Sequence, residues 1–242
     1  MNRKNHSNEL KNINYELFVF AITILSLINF VILFFVRYDQ VREIVIIIDV
    51  VLSFIFLGDF FIRLRTAKSK YGYFIRQYGW VDLLGSLPFP SARVLRLFRL
   101  VRAYRLLRDL GLKNMFREFI RNRGGTALYL VVFLIILLLE FGSIMVIFSE
   151  IPNAYSEINT AQEALWWSFV TITTVGYGDF VPVTLPGRLT GMLMMLVGVG
   201  LFGVLTGFLA NAFVTPKEND EESEIKTLIK EVKELKQEIK KR

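Results

Sequence analysis

Nine residues, Thr171 to Asp179, read Thr-Ile-Thr-Thr-Val-Gly-Tyr-Gly-Asp and lie between two long apolar runs near the C-terminal end of the 242-residue chain. Glycine at positions 176 and 178 admits backbone angles closed to other residues, so the carbonyls of Thr174, Val175, Gly176 and Tyr177 can all turn toward one axis. Four such strands would stack rings of oxygens, with the Thr174 hydroxyl below them. Rings of that kind can replace the water shell of a dehydrated cation. The chemistry on offer is coordination rather than bond making.

A second pattern is built from charge. Arg93, Arg96, Arg99, Arg102, Arg105 and Arg108 recur at every third position with Val, Leu, Phe, Ala or Tyr between them. A basic helix lying on anionic lipid would gather its charges on one face. A strict three-residue repeat instead spirals around an α-helix, or lines up in one row under local 3₁₀ winding. In either geometry successive arginines pass a fixed partner as the helix slides or turns. Candidate partners are Asp49 and Asp59, ten residues apart in one apolar segment, and Asp82 in the next. Isolated acids are expensive in hydrocarbon, and pairing with arginine accounts for all three.

The elements that must position these groups are membrane spans. The chain is 53% apolar with 22 Phe, one His and no cysteine, which favours a membrane protein and excludes disulfides and cysteine-based metal sites. Its net charge of +7 does not point to nucleic acid, because the arginines are ordered within and beside apolar spans. Spans are expected over 17–36, 41–61, 74–87, 92–107, 126–148 and 189–214. The third is short and ends in Leu87-Pro88-Phe89-Pro90, covering roughly 20 Å of a roughly 30 Å hydrocarbon core. The polar start, residues 1–14, argues against a cleavable signal. Six crossings put both termini on one side. Lys4, Lys11, Arg63, Arg65, Lys68, Lys70, Arg76, Lys113, Arg117, Arg121 and Arg123 all fall on that side, which the positive-inside tendency makes cytoplasmic. The glycine loop is then at the outer surface of the cell membrane.

Thr160-Ala-Gln-Glu163 has the spacing of a capping box, and the run from Ala164 to Ile172 continues it as a helix too short to span. Its carbonyl end carries partial negative charge and suits a cation. Residues 109–123 repeat apolar positions at helical spacing, and Gly124-Gly125 is expected to break the helix there as a joint. Gly200, Gly203, Gly207 and Ala210 form a small-residue stripe suited to close helix packing. Glu140 falls inside the fifth span without an assignable partner. In the tail, Ile225, Leu228, Val232, Leu235 and Ile239 keep a 3-4-3-4 spacing, a short coiled-coil pattern.

With these residues in view, Thr174-Val-Gly-Tyr-Gly178 resembles a potassium selectivity filter, and residues 15–214 resemble the compact prokaryotic voltage-gated potassium channels. The resemblance implies an all-α membrane protein: a four-helix voltage-sensor domain at 15–108 and a two-helix pore domain at 124–214 with a re-entrant pore helix and filter loop. It also implies an arm at 1–14, a linker helix at 109–123, a cytoplasmic tail at 215–242 and assembly as a homotetramer. Phe56-Leu-Gly-Asp59 is similar to the family's charge-transfer site, with Phe56 as an aromatic cap over Asp59 and Asp82. Trp166 matches the residue that bonds the filter's aspartate, here Asp179, while Val170 stands where some relatives carry glutamate. Gly198 matches a gating hinge. Potassium is the implied permeant ligand, with no other cofactor, no enzymatic activity, and lipid contacts at the sensor arginines. A channel with a purely structural sensor, and a membrane enzyme borrowing a sensor, are the competing readings. The sign of the activating voltage stays open.

Overall fold

The computed structural model describes residues 13–67, 69–76, 78–87, 97–111, 123–214, 227–232 and 236, and among these the regular structure is entirely helical. Four helices are long and apolar enough to cross a membrane: α1 (Ile13–Phe35), α2 (Asp39–Thr66), α5 (Arg123–Glu150) and α7 (Leu185–Val214). Helix is the form such segments take, because each backbone donor and acceptor must be satisfied within the segment where no water reaches. Three shorter helices complete the set: α3 (Gly79–Ser86), α4 (Phe98–Leu110) and α6 (Ala161–Ile172). The protein is an all-helical membrane protein with several spans.

The expected third span is not one continuous helix. A π-helical turn covers Gly72–Arg76, Tyr78 takes a left-handed conformation at φ 56°, and only then does the eight-residue α3 begin. Gly79 leaves room for the turn, since a Cβ there would meet the Tyr73 ring at 2.8 Å. The joint expected at Gly124-Gly125 is also absent, because α5 already starts at Arg123 and runs through both glycines. A glycine inside a helix costs only about 1 kcal/mol, which packing of a long apolar helix overrides. Arg93 and Arg96, Pro88 and Pro90, most of the 109–123 linker, and most of the coiled-coil pattern lie outside the described residues.

The chain divides into two compact units, Met1–Phe202 and Gly203–Arg242, with the boundary inside α7. In the first unit, one apolar cluster runs from Ile22 on α1 through Ile44, Ile48, Leu52 and Phe56 on α2 to Val146 and Ile147 on α5 and Ala164 and Trp167 on α6. The helix that carries Asp49 and Asp59 therefore packs on those that hold the glycine loop. The second unit contains the end of α7 and helical residues 227–232.

Candidate functional site

α6 begins with a capping box. The Glu163 amide donates to Thr160 Oγ1 at 3.3 Å, and the amides of Thr160 and Asn159 each donate to Glu163 Oε2 at 2.8 Å. Burial pushes the Glu163 carboxyl up, but those two amides and the Thr160 hydroxyl outweigh it and hold the group below its usual 4.5. Gln162 Nε2 donates to the Glu43 carboxylate Oε1 on α2 at 2.6 Å. The helix is thus fixed at its start, and its carbonyl end delivers the chain to Thr174.

The loop that follows alternates in hand. Thr174, Gly176 and Gly178 have φ of 62°, 62° and 77°, all in the left-handed region. In an extended strand successive residues face opposite ways, so a left-handed residue at every second position turns neighbouring carbonyls to a common side. The Val175 amide donates to the Val170 carbonyl at 3.1 Å, folding the loop back on the helix end. Trp166 Nε1 donates to Asp179 Oδ2 at 2.6 Å, and its ring stacks on Tyr177 at 5.9 Å with 2° between the planes. Two points on the outgoing limb of the loop are therefore tied to α6 through one side chain. Gly198 of α7 sits under this junction: a Cβ there would lie 3.0 Å from Ile172 Cα, so glycine permits the close approach, and α7 passes through it unbroken.

On the other half of the unit the arginine ladder meets the acids. Arg99 and Arg102 are buried, 2% and 5% exposed. Arg99 donates to Asp49 Oδ1 at 2.7 Å, to Ser53 Oγ at 2.8 Å, to the Gly85 carbonyl at 2.7 Å and to Ser26 Oγ. Arg102 pairs with Asp59, and Arg105 pairs with Asp82. The guanidinium carbons of Arg99 and Arg102 lie 5.0 and 5.1 Å from the centre of the Phe56 ring. Asp49 precedes Phe56 by seven residues and Asp59 follows it by three, so along α2 their α-carbons stand about 10 Å and about 5 Å to opposite sides of the ring. Two consecutive rungs therefore reach past one aromatic plug to separate acids. Arg108, at the end of α4, is exposed.

Further groups complete this arrangement. Tyr15 donates to Asp59 Oδ1 at 2.6 Å, and Arg63 bridges Asp59 at 2.9 Å and Glu16 at 2.8 Å. Ser26 and Ser53 complete the shell around Arg99. Glu150, fully buried, accepts the amides of Val183 at 3.1 Å and Thr184 at 3.0 Å and the Thr184 hydroxyl at 2.6 Å. It anchors the segment leaving the glycine loop. Two of these had a sequence signal: Arg63, one helical turn beyond Asp59, and Glu150, a carboxylate ending a 28-residue apolar helix.

A family model described as ion transport protein matches residues 14–221. A voltage-gated potassium channel of Aeropyrum pernix is 39% identical over 79 residues, 33% of this chain and 27% of that protein. A calcium-gated potassium channel of Thermoplasma volcanium is 42% identical over 78 residues, 32% of this chain and 22% of that protein. A voltage-gated potassium channel regulatory subunit of Homo sapiens is 24% identical over 190 residues, 66% of this chain and 42% of that protein. The alignments span less than half the length of each of these relatives.

Proposed function

From the premise that this chain belongs to the ion transport protein family, we propose that it is the subunit of a homotetrameric, voltage-gated, potassium-selective channel. Potassium is the permeant ligand, taken through rings formed by the carbonyls of Thr174, Val175, Gly176 and Tyr177 from four chains, with Gly178 allowing the outermost turn. Trp166 and Asp179 hold the filter's outer side. Both termini are cytoplasmic and the filter faces outward. The family names of the relatives support the cation, and the alternating left-handed loop at the end of α6 supports the coordination.

The observation that carries the voltage-gated part is the Phe56 ring with Arg99 and Arg102 beside it, each on its own acid. A helix that displaces by three residues replaces each arginine with the next one and leaves the pairing pattern unchanged. The electric field then decides the position. One charge crossing the field gains about 2.3 kcal/mol per 100 mV, so three or four in each of four subunits give on the order of 30 kcal/mol. That is enough to switch a pore through the 109–123 linker, with Gly198 as the hinge about which α7 bends when the pore changes state.

The test is current from purified protein in a planar bilayer under a potassium/sodium gradient, across voltage steps of both signs. A reversal potential near potassium's equilibrium value with steeply voltage-dependent opening is the expected result. Selective current indifferent to voltage would leave the sensor reading without support, and absence of selective current from active protein would remove the filter reading.

A further inference from the structure

Glu140 serves neither the filter nor the ladder. It lies in mid-α5, 4% exposed, in the neighbourhood of Asn29 of α1 and Asp49 of α2. Neither of its carboxylate oxygens meets a partner at hydrogen-bonding geometry, and the same holds for both polar atoms of Asn29, which is 1% exposed. Among the described residues of the elements packed on α5, the charged group close enough to act on Glu140 is Asp49, which holds Arg99 from α4. α1 presents the neutral Asn29 and Ser26, and α6 presents Ser168, bonded to Ser143 at 2.9 Å. Glu140 therefore shares a low-dielectric site with a second carboxylate whose own compensation is a ladder arginine.

Two carboxylates so placed bind protons as a coupled pair, and the local cation count sets how many they hold. An ionised Glu140 without a donor is expensive at this depth, and more so when Asp49 has lost its arginine. We propose that Glu140 is a proton-binding site at the seam between the sensor helices and α5, exchanging a solvent proton against the arginine at Asp49. With arginine at Asp49, Glu140 holds its proton less tightly. Once α4 has carried the last rung inward past Asp49, Glu140 takes a proton from solution and no bond other than O–H is made or broken. The coupling is reciprocal, so acid favours the inward position of α4. The inference rests on the voltage-gated reading for its consequence, though not for the site.

The experiment compares reconstituted full-length protein and its Glu140→Gln variant from about pH 5 to about pH 9, a range that brackets buried carboxyl groups. Sensor charge movement is recorded against voltage. In the wild type the midpoint should move to more positive voltage as pH falls. In Glu140→Gln only the smaller shift from surface groups should remain. An equal shift in both proteins, or none in the wild type, overturns the proposal. Infrared spectra of the same preparations supply a readout independent of gating: a carboxylic-acid carbonyl band that titrates in the wild type and is missing from Glu140→Gln. Absence of that band overturns the site. Should charge movement be absent from both proteins, the voltage-gated reading falls and the band alone decides the proton site. Asn29→Ala keeps Glu140 but removes the amide facing it, so the band's titration should move; an unmoved titration overturns the site even where Glu140→Gln does not fold.

Discussion

The Trp166 indole nitrogen donates to Asp179 across 2.6 Å, while the same ring stacks on Tyr177, two residues earlier in the loop. One side chain on α6 therefore restrains the loop at two points. Trp166→Phe keeps the aromatic face and deletes the donor. A lost hydrogen bond to a charged acceptor at a partly exposed position is worth about 1 to 2 kcal/mol, which shifts the balance between conducting and collapsed loops about 5- to 30-fold. Current should decay faster during sustained opening, with unitary conductance retained, as read from single channels in bilayers.

Gly178 has φ 77°, and a Cβ built there meets nothing within 4 Å of its own chain. The penalty for Gly178→Ala is therefore conformational, about 1 to 2 kcal/mol for each chain. Four chains would accumulate it in one ring, so potassium selectivity should be lost or degraded. D-alanine at the same position prefers the left-handed region and should restore selectivity. Reversal potentials measured for the two semisynthetic proteins separate backbone angle from side-chain bulk.

Arg99 and Arg102 are buried on acids, whereas Arg108 is exposed. Neutralising Arg99 or Arg102 to Gln should reduce the charge moved per channel and flatten its voltage dependence. Arg108→Gln should change it little. Asp59→Asn leaves Arg102 facing an uncharged amide, a broken buried pair that costs about 3 to 5 kcal/mol, and should lower the yield of folded protein. Gating charge per channel and the fraction recovered as a single species in gel filtration check the two arms.

The arginine repeat from Arg99 to Arg105 and the glycine loop were legible in the sequence as spacing rules within one segment, and the three acids as isolated charges in apolar runs. Phe56 and Trp166 were legible only through resemblance. Ser26, Ser53, the Gly85 carbonyl, Tyr15 and Glu16 were not, since their roles are set by neighbours 14 to 73 residues away in the chain. The break before α3 was hidden too. Its cause is the Tyr73 ring packed on Gly79, and no local pattern announces a ring that folds back six residues later.

The capping box gives a pH dependence whose sign is fixed. Glu163 is held below its usual 4.5 by the amides of Asn159 and Thr160, against an opposing push from burial. A carboxyl depressed in the folded state stabilises it above the unfolded value, and that contribution is lost as pH falls through the folded value. The start of α6 should therefore loosen below about pH 4.5, seen as faster amide exchange at Asn159 and Thr160. Glu163→Gln retains an acceptor oxygen and should remove the pH dependence while keeping most of the cap.

Glu150 is the firmest anchor of the segment leaving the loop, accepting two amides and a hydroxyl with its two oxygens. The site is tight on its far side as well: a Cβ at Gly187 would lie 2.2 Å from Glu150 Oε1. Glu150→Gln replaces one acceptor with an amide that donates, so a donor must face the donors of Val183 or Thr184. Turning the side chain only moves the conflict from one oxygen to the other, because both are engaged. The loss is about 1 to 3 kcal/mol for an unsatisfied buried group. Amide exchange at Val183 and Thr184 should accelerate about 5-fold or more, and current through the variant should decay faster than in the wild type. Gly187→Ala leaves the carboxylate in place but crowds it, and should accelerate exchange at the same two amides. Unchanged exchange in both variants would mean that the segment is held by something other than Glu150.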